Sequence, residues 1–153
     1  MIVSCPMKPL FFLLCCALLF FPAPSGLGQD KVYSLTVTVT NIPGAKGNLL
    51  IGLYDSEASF TADPMPISPK IPLTSADDVN ATIEGLKPGT YAIAVIQDLN
   101  GNGELDRNFL GMPKEPLAFS VITEIPKGKP KFSACSFRIV DADLAMTIPL
   151  VLE

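Results

Sequence analysis

The run Asp98-Leu99-Asn100-Gly101-Asn102-Gly103-Glu104-Leu105-Asp106 places oxygen-bearing side chains at alternate positions and glycines between them. A calcium loop of the EF-hand type uses oxygen side chains at its first, third and fifth positions, a turn-forming Gly at the sixth and a backbone carbonyl at the seventh. Asp98, Asn100, Asn102, Gly103 and Glu104 occupy those positions here. Leu105, at the eighth, suits an anchor to the core, and Asp106 supplies a carboxylate at the ninth. The match then ends, because the twelfth position, a bidentate carboxylate in such loops, is Phe109. The segment reads as the ligand-bearing half of a calcium loop entered by a strand, with Asp106 or a neighbouring loop completing the shell. Asp55, Glu57 and Asp63 are available for that purpose if their loop lies at the same end; otherwise they are solvated charges. Calcium is favoured over magnesium because most of the ligands are neutral oxygens on a flexible loop. It is favoured over zinc or copper because the chain has no His. Asn-Gly-Asn-Gly is also a strong turn sequence in its own right, so a bare turn stays open as the alternative.

Other chemistry is poorly provided for. A Ser nucleophile needs a base and an oxyanion hole, and neither His nor a Gly-x-Ser-x-Gly elbow is present. A hydrolase working through the carboxylates of Asp98, Glu104 and Asp106 is the formal alternative. The absence of Trp deprives it of the usual sugar platform. Cys135 alternates with Phe137 and Ile139 and reads as a buried small hydrophobe. Tyr91, at the start of a strand, reads as a core or corner residue. Lys127, Lys129 and Lys131 read as a solubilising loop. Bulky apolar residues recur from Phe109 to Phe119 in what reads as a loop, either folded back as a lid or exposed as a partner site.

The elements that position these residues are strands. Apolar residues recur with period two from Lys31 onward, and Pro or Gly interrupts too often for a long helix. Val32–Thr40 reads as a strand with Leu35, Val37 and Val39 inward. Leu49–Tyr54 is apolar on both faces, so it belongs inside a sheet. Asp55–Pro72 reads as a long surface loop with a short edge strand near Ile67–Ile71, since its four prolines bar a central position. Val79–Glu84 and Thr90–Gln97 read as a hairpin about Leu86-Lys87-Pro88-Gly89. The second of these is central, with Ala92 and Ala94 suiting a close second layer. Ser133–Val140 and Leu144–Leu152 close the domain. The expected fold is all-β, a two-sheet antiparallel sandwich of about seven strands with Greek-key order. One possible use of its second apolar face is to carry a small apolar ligand between the sheets.

Ahead of the strands stands an unbroken apolar run of 12 residues, Leu10 to Phe21, preceded by Lys8 and followed by small residues. It is too short to span a membrane, which takes about 20 residues, and has the layout of a cleaved secretory leader over residues 1–28. Residues 29–153 are left as one domain. Lys8 is the only charged residue of the leader, so the remainder carries 11 minus 1 basic against 15 acidic residues, a charge of −5. No basic surface for nucleic acid follows from that balance. Of the 4 cysteines, Cys5, Cys15 and Cys16 fall in the leader, leaving Cys135 with no partner. A disulfide-free exported domain suits a periplasm or the outside of a bacterial cell.

The segment Gly85-Leu86-Lys87-Pro88-Gly89-Thr90-Tyr91, then Ala94-Val95, then the run from Asp98 through Arg107-Asn108-Phe109-Leu110-Gly111-Met112-Pro113-Lys114-Glu115, resembles the secreted bacterial family DUF2141. The likeness covers most of residues 29–153, and its specific part is Asp98 to Glu115. It implies a periplasmic or exported prealbumin-like sandwich of unassigned activity and supplies no catalytic residues. Family members often carry a His before the first loop Asp, where this chain has Gln97. They often continue after Lys-Glu into a Gly-aromatic-Gly-Phe-Ser-Asn-Asn run, where this chain reads Pro116-Leu117-Ala118-Phe119-Ser120-Val121. The combined expectation is an exported, non-enzymatic module that holds calcium through Asp98, Asn100, Asn102, Glu104 and Asp106. It meets an envelope or protein partner through Phe109–Phe119.

Overall fold

A computed structural model describes residues 31–61, 65–124 and 128–151; the expected leader, Asp63 and Lys127 lie outside them. In chain order the elements are β1 (Tyr33–Thr40), β2 (Asn48–Tyr54), α1 (Glu57–Thr61), β3 (Ile67–Pro72), β4 (Val79–Leu86), β5 (Gly89–Asp98), β6 (Leu117–Phe119), α2 (Phe132–Cys135), β7 (Phe137–Ile139) and β8 (Leu144–Pro149). One sheet has the order β4-β1-β8. The other has β3-β2-β5-β6, with β7 pairing the opening residues of β5. The all-β two-sheet expectation holds. Its ladders are antiparallel except that β1 and β8 run parallel, from Leu35 opposite Leu144 to Thr40 opposite Pro149.

The strand pattern sorts the apolar residues into two cores. Leu35, Val37 and Val39 of β1 meet Leu49 and Ile51 of β2, Ile93 and Val95 of β5, Ala81 and Ile148 between the sheets. Alternate residues of β2 and β5, namely Leu50, Tyr54, Ala92, Ala94 and Ile96, face the opposite way. They are covered by Phe60, Leu117, Phe119 and Cys135, so the larger sheet is buried on both faces. This is the physical content of the doubly apolar strands, and the two alanines do lie under a second layer.

That second layer accounts for most departures from the sequence reading. Asp55–Pro72 is not loop throughout: α1 turns Phe60 under the sheet, while β3 is the expected edge strand. Leu117–Phe119, expected within a loop, is buried strand, because Leu117 and Phe119 complete the outer core and Ala118 the inner one. Ser133–Val140 is not continuous strand. Its first half is α2, which brings Cys135 to the outer core rather than into alternation with Phe137 and Ile139. Ser120 holds α2 down: its hydroxyl donates to the Cys135 carbonyl at 2.6 Å and accepts the Ile93 N–H at 2.8 Å. Burial pushes the Cys135 thiol up to about 11.

The expected hairpin is an arch. β4 pairs with β1 and β5 with β2, so the turn carries the chain from one sheet to the other. A strand with one wet face fits the three-stranded sheet, whereas the doubly apolar β5 has to lie between two layers. The Tyr91 hydroxyl donates to the Lys87 carbonyl at 2.9 Å, making Tyr91 the corner residue of this arch.

Phe60 is fully buried and meets Tyr54 edge-on at 5.0 Å, with Phe119 and Phe132 both at 6.1 Å. Lys129, expected in a purely solubilising loop, sets its ammonium 5.2 Å from the Phe60 ring centroid. Phe60→Ala should therefore cost about 3–5 kcal/mol, as a core Phe does and a loop Phe does not. A chemical-denaturation midpoint measures it.

Candidate functional site

Asp98 ends β5 opposite Asn48, on the face that carries Ala94 and Ile96, and it is fully buried. Its two carboxylate oxygens accept the N–H groups of Gly101 at 2.7 Å and Gly103 at 2.9 Å. Both glycines have φ of +82°, the left-handed conformation that lets the loop fold back over its first residue. Asn100 Oδ1 accepts the Asn102 N–H, and Asn102 Oδ1 accepts the Glu104 N–H. The loop is thus a spiral in which Asn100 and Asn102 each turn the backbone two residues on, while Asp98 holds the two glycines. Leu105 packs against the outer core, as an anchor should.

Asp106 closes the loop over these side chains. Its carboxylate accepts Asn100 Nδ2 at 2.6 Å and Asn102 Nδ2 at 3.2 Å. The structure therefore brings Asp98, Asn100, Asn102 and Asp106 into one bonded loop, while the Glu104 side chain is exposed and joins it only through its N–H. Asp55 and Glu57 are not brought there, because they follow Tyr54, which pairs with Ala92 at the far end of β5. The Asp55 carboxylate accepts the Ser56 and Ser59 hydroxyls, which lower its pKa. Glu57 accepts the first N–H of α2, from Phe132.

Glu115 is the residue the spacing argument missed. It is 2% exposed, and its two oxygens accept the N–H of Leu99 at 2.8 Å and of Asp106 at 3.0 Å, clasping the loop at both ends. The only trace in the sequence was its place at the end of the family-like run, since a Glu before Pro116 carries no periodic signal. No Lys or Arg among the described residues pairs with Asp98 or Glu115.

The floor comes from Pro43–Asn48. Gln97 Nε2 donates to the carbonyls of Gly44 and Lys46, and its buried Oε1 has no hydrogen-bond partner among the described residues. Gly47, at φ +74°, lies so close to the Asp98 carbonyl that any Cβ there would overlap it.

Carboxylate and amide oxygens without nitrogen or sulfur ligands make a donor set for a hard cation, and each accepting amide oxygen keeps a second lone pair. Among the described residues no three His, Cys, Asp or Glu side chains converge as a metal group, so the amides and backbone would have to complete any shell. As placed, the Asp106 carboxylate is met by amide N–H groups.

Beyond Asp106 the chain makes a tight tip. Arg107 bridges Pro113, Asn108 N–H donates to the Met112 carbonyl, and Asn108 Oδ1 accepts the N–H groups of Leu110 and Met112. Phe109 is 95% and Leu110 72% exposed. The apolar run from Phe109 to Phe119 is therefore divided, its first half presented to solvent and its second buried in β6.

Glu115→Ala would leave two loop N–H groups without their charged acceptor. It should lower stability by about 2–4 kcal/mol, and hydrogen exchange should show early opening of the Leu99 and Asp106 amides while the β2–β5 ladder stays protected.

Comparison with curated proteins and with solved structures matched none. The family model described as "Uncharacterized protein conserved in bacteria" matches residues 37–147, from the middle of β1 to β8 and across the whole loop and tip. The chain is thus a member of the bacterial DUF2141 family.

Proposed function

We propose that this protein is an exported, non-enzymatic binding module of the bacterial periplasm or cell exterior. In this reading its Asp98–Asp106 loop takes a calcium ion that rigidifies the end of the sandwich presenting the Phe109–Met112 tip. The observation that carries the reading is the pair of buried carboxylates, Asp98 and Glu115, whose hydrogen-bond partners among the described residues are backbone N–H groups. Buried carboxylates without a countercharge are costly, and a bound cation beside the loop relieves that cost. Calcium supplies charge and oxygen coordination there. The chain's own part is to hold Asp98 through Gly101 and Gly103, to turn the Asn100 and Asn102 amides, and to brace the ends through Glu115. The leader-like residues 1–28 and the single buried thiol support export.

A structural role for the carboxylates supports the non-enzymatic reading over a hydrolase, since the oxygens of Asp98 and Glu115 are aimed into the loop backbone. The packed inter-sheet space favours a module over a carrier of an apolar ligand held there.

Without a twelfth-position carboxylate the affinity belongs in the weak extracellular range, with a dissociation constant of about 0.01–1 mM. Calcium at about 1 mM should then stabilise the fold by about 0.4–2.7 kcal/mol through mass action, raising Tm by roughly one to ten degrees. Magnesium should do less. Asp98→Asn should lose the calcium-dependent part, and Glu104→Ala should keep most of it. Thermal melts in calcium and in chelator decide the matter; superimposed curves would reduce the loop to a turn.

A further inference from the structure

We infer that the Asn108–Pro113 tip docks on an anionic lipid surface, inserting Phe109, Leu110 and Met112 between the headgroups. The inference deepens the reading of this tip as the binding face, and it does not depend on calcium in the neighbouring loop. Three large apolar side chains stand out together, 95%, 72% and 43% exposed, on a hairpin whose other exposed neighbours are polar. A projecting tip of this shape fits a soft planar surface.

Most of the tip's backbone donors are met within the tip itself. The N–H groups of Asn108, Leu110, Gly111 and Met112 all donate within the tip, to the Met112 carbonyl, Asn108 Oδ1, the Asn108 carbonyl and again Asn108 Oδ1. Arg107 Nη1 donates to the Gly111 carbonyl at 3.0 Å. Backbone donors that keep their acceptors can approach hydrocarbon at small cost, whereas open loop backbone cannot. Asn108 is thus the organising residue of the tip.

The charges select the lipid. Arg107 and Lys114, both exposed, flank the two sides of the hairpin just behind the apolar residues, at headgroup depth when the tip is inserted. The acids adjoining them in sequence are taken up by the loop: Asp106 accepts two amide N–H groups, and the buried Glu115 accepts the N–H groups of Leu99 and Asp106. An apolar wedge with a cationic collar matches an interface carrying phosphatidylglycerol-type headgroups.

The chain contains no Trp, so Phe109→Trp places a single reporter at the tip. Mature protein carrying it is mixed with vesicles of phosphatidylcholine alone or with phosphatidylglycerol, each in calcium and in chelator. Blue-shifted emission and co-sedimentation are expected with the anionic vesicles. Leu110→Asp should weaken that partition by about tenfold or more, and Lys114→Gln by about fivefold. Both variants should melt with the parent, because the altered side chains are exposed. Unshifted emission on anionic vesicles, or unchanged partition of Leu110→Asp, overturns the inference and leaves the tip to a protein groove. Equal partition onto phosphatidylcholine overturns the anionic selection. The melts in calcium and chelator report separately on the loop ion, so either reading can fall alone.

Discussion

Two carboxylates taken out of water, Asp98 and Glu115, hold this end of the molecule together through four backbone N–H bonds of 2.7 to 3.0 Å. Hydrogen bonds to charged groups contribute about 1.5–3 kcal/mol each, which offsets part of the desolvation of two acids and leaves the rest for a countercharge. Asp98 spends its bonds inside the loop and Glu115 across its mouth, so the two acts are complementary: one folds the spiral and the other seats it. The loop, the tip beyond it and the start of β6 all follow from where those two side chains are fixed. Gly47 enters the same constraint from below, because only a residue without a Cβ lets its backbone lie against the Asp98 carbonyl.

The rest of the fold is organised by the need to cover both faces of the larger sheet. β2 and β5 carry apolar residues at odd and even positions alike, and a two-sheet sandwich covers only one of those faces. Short pieces do the remaining work. α1 contributes Phe60, β6 contributes Leu117 and Phe119, and α2 contributes Cys135. The arch between β4 and β5 has the same cause: the half-exposed β4 pairs with β1 in the three-stranded sheet, while the doubly apolar β5 lies beside β2 in the sheet that is covered on both faces.

The longer strands were legible from residues alone: β1 and β4 lie where alternation placed them, β2 and β5 where runs apolar on both faces did, and β3 is the edge strand its prolines require. The pieces that were not legible are those too short to show a period. Five residues of α1, four of α2 and three of β6 are held by tertiary contact with the outer core, not by any propensity of their own. At the candidate site, the Asp-x-Asn-x-Asn-Gly spacing was enough to place Asp98, Asn100, Asn102 and Asp106 together. Glu115 escaped because a clasp from outside a motif has no spacing to betray it, and the end at which Asp55 and Glu57 lie stayed open because strand register is not visible in sequence. The partition of the Phe109–Phe119 run was likewise decided by pairing: Asn108 turns Leu110 and Met112 outward on a self-bonded hairpin, while β5 takes Leu117 to Phe119.

The central claim, that the buried carboxylates and turned amides form a cation site, is tested most directly by amide NMR during a calcium titration of residues 29–153. The account expects saturable shifts in the N–H resonances of Gly101, Gly103 and Asp106 and in the side-chain amides of Asn100 and Asn102, complete by about 10 mM calcium and abolished in Asp98→Asn. Resonances that stay in place over that range would contradict it and leave the loop as a turn braced by Glu115 alone.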